Sequence, residues 1–145
     1  MSVYPRVVPR YTSMVFVDSV SVPAGSEQVL LEVLGSGQVE GLTIKFANIP
    51  SILYGQLLVY IDGATSPAVI SVPGAAALFS HGSTVDVGRF ALPLTITVFD
   101  DANLVYGFSV TVPIRFSSSI RIAVYNAHTS SITVNYAAIV SLERQ

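Results

Sequence analysis

Residues 106–125 read YGFSVTVPIRFSSSIRIAVY, and this stretch decides the fold class. Tyr106, Phe108, Val110, Val112 and Ile114 alternate with Gly107, Ser109, Thr111 and Pro113; beyond the serines 117–119, Ile120, Ile122 and Val124 alternate with Arg121, Ala123 and Tyr125. A period of two belongs to β-strands, whose successive side chains point to opposite faces, and the serine run between them reads as a turn. Ahead of this stretch the same period recurs: Leu42, Ile44 and Phe46 alternate with Thr43 and Lys45, and Leu92, Leu94, Ile96 and Val98 alternate with Pro93, Thr95 and Thr97. A last strand runs from Ile132 through Val134 and Tyr136 to about Leu142.

Four further segments, 13–22, 28–34, 56–62 and 67–72, carry apolar residues on both faces, which burial inside a sheet and exposure at an interface explain equally well. Turn signals separate the segments at Pro23 to Gly25, Gly35 to Gly37, Asn48 to Pro50, Asp62 and Gly63, Asp100 to Asn103, and Asn126 to Ser131. The one expected helix is a turn or two around Gly74 to Phe79, opened by Pro73. About nine antiparallel strands in so short a chain must fold as two packed sheets. The expected fold is therefore all-β: a single jelly-roll, a two-sheet antiparallel β-sandwich with at most one short helix. Residues 1–12 are expected to form an N-terminal arm and 13–145 the domain. An immunoglobulin-like sandwich also fits the alternation, although the chain has neither Trp nor Cys.

Composition points to assembly. Charged residues make up 11% of the chain, against roughly 25% in an ordinary soluble domain, and the formal net charge is −2. Few charges need to be stripped of water when such a surface is covered, and little self-repulsion keeps copies apart. The absence of cysteine excludes disulfides and thiolate metal sites. The opening residues hold Pro5, Pro9, Arg6 and Arg10 but no apolar block of signal-peptide length. The uncharged stretches Gly63 to Val85 and Ile122 to Leu142 are broken by proline, glycine and polar residues, so neither reads as a membrane span.

Residues able to carry chemistry are scarce. Asp62, Asp100 and Asp101 fall where turns are expected, and their first reading is as turn residues bonding nearby backbone. Asp18 shares parity with Met14, Phe16, Val20 and Val22, which turns a carboxylate toward the apolar face and suggests a bulge or a subunit contact. His81 and His128 are isolated from carboxylates, and no glycine loop followed by Lys and Ser or Thr is present. No catalytic, cofactor-binding or metal-binding residue is therefore assigned, and no cofactor is expected. The basic residues Arg6, Arg10, Lys45, Arg89, Arg115, Arg121 and Arg144 are too dispersed for a nucleic-acid groove. Arg6 and Arg10 alone cluster, as an arm that could reach a neighbouring subunit, an enclosed genome or an internal membrane.

From Tyr54 to Leu142 the order of landmarks resembles one jelly roll of the double-jelly-roll glycoside hydrolases that act on fructofuranosyl sugars. The matching runs are Val59 to Gly63 with Pro67, Ser71 to Pro73 and Phe79, then Tyr106 to Phe108, Pro113 to Phe116, Ser119 to Ile122 and Asn126. The glycine-rich, acid-containing segment that carries the catalytic carboxylates of those enzymes has no counterpart, so the resemblance implies their fold and not their activity. Those hydrolases look like cellular relatives of viral capsid proteins, and a short, charge-poor, stand-alone roll is similar to the single jelly-roll coat proteins of archaeal portogloboviruses. What that resemblance implies is a non-enzymatic major capsid protein, made in the host cytoplasm and assembling with copies of itself and other capsid proteins into a thermostable icosahedral virion. A glycan-binding or glycan-cleaving domain, with Tyr60, Tyr125 and Tyr136 stacking on sugars, is the alternative, and a minor capsid component such as a penton or spike is a further one.

Overall fold

The computed structural model describes residues 11–48, 55–67, 69–71, 94–100, 102–110 and 113–143. Arg6, Arg10, His81 and the expected helical turn at 74–79 lie outside them. The described residues form ten strands: β1 (Tyr11–Val22), β2 (Glu27–Leu34), β3 (Gly37–Ala47), β4 (Gly55–Ile61), β5 (Val69–Ser71), β6 (Leu94–Asp100), β7 (Val105–Val110), β8 (Ile114–Phe116), β9 (Ser119–Asn126) and β10 (Ile132–Glu143). All pairings are antiparallel. One sheet runs β1-β10-β3-β7-β6, with β8 also on β3, and the other runs β2-β9-β4-β5.

This order is that of a jelly roll. The chain pairs its first strand with its last (β1 with β10), its second with the next to last (β2 with β9), then β3 with β7 and β8, and β4 with β5. Each step inward moves to the opposite sheet, as in a long hairpin rolled up on itself. β6 is an addition that extends the first sheet beside β7. The continuous strand expected over 106–114 is divided into β7 and β8. Leu42 faces Val110 and Val39 faces Ile114, so three steps along β3 match four along the other strand. Pro113 lies in the gap and has no N–H to donate to a ladder. β1 reaches two residues further toward the N-terminus than expected. Its register with β10 is unbroken from Tyr11 to Val22, so the bulge suggested at Asp18 is absent.

The core lies between the sheets. Val22, Leu31, Val33, Val39, Leu42, Ile44, Phe46, Leu57, Val59, Phe108, Ile120, Ile122, Val124, Ile132, Val134 and Val140 are all buried in one cluster, each at the inward parity of its strand except Val39, which the register shift between Gly41 and Val39 turns inward in β3. Phe46 and Phe108 meet with ring centroids 6.2 Å apart at a tilt of 59°, an inclined arrangement that the ring quadrupoles favour over a face-to-face sandwich. Two polar links cross the sandwich. The Tyr136 hydroxyl donates to the Leu30 carbonyl at 2.6 Å, and Leu30 sits where β2 shifts register against β9 and leaves the ladder. Asn126 Nδ2 donates to the Val22 carbonyl at 3.0 Å and the Ser130 carbonyl at 2.8 Å, while its Oδ1 accepts from the His128 N–H at 2.8 Å.

Candidate functional site

Three places on the described surface gather residues that could do something beyond folding. The first is the outward face of the larger sheet. Its side chains line up in rows across the strands: Val15 beside Ile139 and Gly41; Val17 beside Ala137, Thr43 and Ser109; Ser19 beside Asn135, Lys45 and Gly107. Val15 is 69% exposed, Val17 73% and Ile139 47%. Lys45 is the only ionisable side chain in these rows. Strand polarity produces this face directly, because Met14, Phe16 and Val20 pack on the core and so force Val15 and Val17 outward. An apolar stripe of this kind on a sheet face is costly to keep in water and favours being covered.

The second place is the outward side of the smaller sheet, where Leu58, Tyr60 and Ala123 are buried and Tyr125 packs on them. The Tyr60 hydroxyl donates to Glu27 Oε1 at 2.6 Å, and the Arg121 guanidinium lies 4.1 Å from the Tyr60 ring centroid. The hydrogen bond to Glu27, with burial, pushes the Tyr60 hydroxyl above its ordinary value, and Arg121 partly offsets this. The three side chains stitch β2, β9 and β4 together across the outside of the sheet. Of the tyrosines considered as a sugar-stacking platform, Tyr60 and Tyr125 lie together on this side, whereas Tyr136 is buried in the other sheet, so the three do not form one surface.

The third is a groove at one end of the sandwich, lined by Tyr11, Gln38, Asp62, Arg115, Phe116 and Glu143 among others. Asp62 was expected to bond its own turn. Instead its Oδ1 accepts the backbone N–H groups of Ser117 and Ser118, each at 2.8 Å, and of Ser119 at 3.4 Å. The bonds from Ser118 and Ser117 hold its carboxyl below the usual range. Asp62 thus anchors the β8–β9 turn to the β4 end. Asp100 does act as a local turn residue, accepting the Asn103 backbone N–H at 3.1 Å and its side-chain amide at 2.8 Å, and its carboxyl is likewise held low by Asn103. Among the described residues no group of three or more His, Cys, Asp or Glu side chains is placed to hold a metal ion.

Asp18 is exposed on β1, at the inward parity, and its charge adds to the desolvation that raises the Tyr136 hydroxyl above its ordinary value. The residues that sequence reasoning singled out as chemical, Asp62, Asp100 and Asp18, are therefore not brought together into one site. What it underweighted is the row formed by Val15, Val17 and Ile139. Its signal was the two-sided apolar pattern of 13–22, which by itself does not say which face is covered.

No family model and no curated protein sequence matches this chain. Among solved structures, it is similar to a chain of the capsid asymmetric unit of cyanophage Pam1, with 13% identity and a TM-score of 0.47 over 98% of this chain and 93% of that one.

Proposed function

We propose that this chain is a structural subunit of a virus shell, and specifically a major capsid protein that assembles with copies of itself. The observation that carries the reading is the middle of the outward face of the β1-β10-β3 sheet, the rows of Val15, Val17 and Ser19: exposed valines and isoleucine, small and hydroxyl side chains around them, and Lys45 as the one charge, with Glu40 and Glu143 toward one end of the sheet. Interface cores are depleted in charge and gain from apolar area removed from water, and a face of this composition meets both conditions. Two packed sheets form a block whose described faces and edges remain for contact between blocks. The virion is then its location, other shell subunits are its partners, and Arg6 and Arg10 would turn toward a neighbour, the genome or an internal membrane.

Sedimentation velocity and negative-stain microscopy of the purified full chain test this over a range of pH and salt. Closed or sheet-like assemblies of regular spacing are expected, and a monomer that persists at high concentration under all conditions overturns the reading. Copy number per particle separates a major component from a penton or spike.

A further inference from the structure

Among the described strands, five have one unpaired side: β1, β6 and β8 in one sheet, β2 and β5 in the other. An edge strand offers a row of backbone donors and acceptors that another chain can pair with, and proteins usually guard against this by short strands, bulges or charges. Four of the five carry such guards, β8 by its length of three residues. β5 is three residues long, β2 shifts register between Val29 and Leu31 and bears Glu27 and Glu32, and β6 shifts register between Ile96 and Val98. β1 is the least guarded: twelve residues, an unbroken register, no lysine and no proline, and a single charge, Asp18. No described strand pairs with its outer side.

Resting on the shell reading, we propose that β1 is a seam between two copies of this chain, its free edge pairing antiparallel with the β1 edge of a second copy about a two-fold axis. A strand edge is completed only by another strand, and the pattern of β1 is complementary to itself. With the axis at Val15, the outward face sets Val15 against Val15 of the second copy and Val17 against its Ser13, while the inward face sets Met14 against Phe16. Sulfur beside an aromatic ring and β-branched residues face to face are both favourable cross-strand pairs. Asp18, the one charge on β1, then lies opposite Thr12. An axis at Asp18 would oppose two carboxylates, so this residue excludes that register. An isologous contact of this kind closes into a dimer and makes one sheet continuous across both copies. Edge pairing alone buries less than the roughly 1,200 Å² of a stable complex, so the seam is one contact of a lattice and not an obligate dimer.

The chain has no cysteine, which makes single-cysteine variants of the full chain a clean ruler. Ser13→Cys, Val15→Cys, Val17→Cys and Ser19→Cys all fall at exposed outward positions of β1, where the fold tolerates them. Directly opposed residues of antiparallel strands are close enough for a disulfide. A position two residues from the axis meets its own mate about 13 Å away along the strands. On mild oxidation, Val15→Cys is expected to give covalent dimer in at least tenfold higher yield than the other three. Mixing Ser13→Cys with Val17→Cys should restore the cross-link. Uniformly low yields in samples that sediment as particles overturn the seam and leave the shell reading standing. A Val15→Cys dimer in a protein that never grows beyond dimers supports the seam and overturns the shell.

Discussion

Asn126 Nδ2 lies 3.0 Å from the Val22 carbonyl, joining the end of β9 in one sheet to the end of β1 in the other. Both residues are fully buried. The same amide also holds Ser130 and His128, so three backbone groups of the β9–β10 turn and the β1 end depend on one side chain. Asn126→Ala removes all three bonds, the one to Val22 fully buried and the other two partly so, and is expected to destabilise the fold by about 2–4 kcal/mol. Chemical denaturation measures this; a loss under about 0.5 kcal/mol, the range of a neutral surface change, would contradict it.

The phenols of Tyr60 and Tyr136 both sit above their ordinary value, the first through its bond to Glu27 and the second through burial. In the unfolded chain they ionise near pH 10, in the folded chain at higher pH, so above about pH 10 the unfolded chain binds fewer protons and stability falls as pH rises. Their contribution is complete below that pH. The melting temperature should decline between pH 9 and 11, and the double variant Tyr60→Phe/Tyr136→Phe should start lower and decline less. An equal slope for both proteins would rule the assignment out.

At the acid end the sign reverses. Backbone bonds from Ser118 and Ser117 depress the Asp62 carboxyl, and Asn103 depresses that of Asp100. Their contributions are present above the ordinary carboxylate range and fade as pH falls through the folded values. Asp62 is exposed, Asp100 only half-buried, and few other carboxylates exist, so the melting temperature is expected to change little between pH 7 and about pH 4 and to decline below it. Asp62→Asn, which keeps an acceptor but cannot titrate, should flatten that decline. Parallel melts of the two proteins from pH 7 to 2 decide the matter.

Gly55 opens β4 against the ring of Phe46. A Cβ built there would come within 2.9 Å of two ring atoms, closer than real contacts allow, in a fully packed region. Gly55→Ala is expected to cost about 1–3 kcal/mol by displacing Phe46 from its place against Phe108. Thermal melts show whether it does, and unchanged stability would mean that the ring moves freely.

Val15→Lys together with Val17→Lys places charge on the most exposed apolar positions of β1. Because these side chains contribute little to the core, the melting temperature should stay within about 2 °C of the parent. Assembly, read by light scattering, should fall by tenfold or more. Undiminished assembly would move the contact surface elsewhere.

The alternation of Ile120, Ile122 and Val124, and of Leu42, Ile44 and Phe46, determined by itself that the chain is all-β and which side chains enter the core, because a strand has only two faces and the apolar one must be covered. The turns at Pro23 to Gly25 and Asp100 to Asn103 were equally legible, since glycine and the Asx side chain act on neighbouring backbone. Long-range partners were not. Nothing local says that Asp62 holds the amides of residues 117–119, or that the Leu30 carbonyl leaves its ladder to meet Tyr136. The segments 13–22 and 56–62 show the division most plainly. Both read as apolar on two faces, yet Leu58 and Tyr60 are buried on the outside of their sheet while Val15 and Val17 stand in the open. The pattern within a strand fixes which residues share a face. Only the order of strands in the sheets, with β4 inside its sheet and β1 at an edge, decides which of those faces is covered and which is left for another chain.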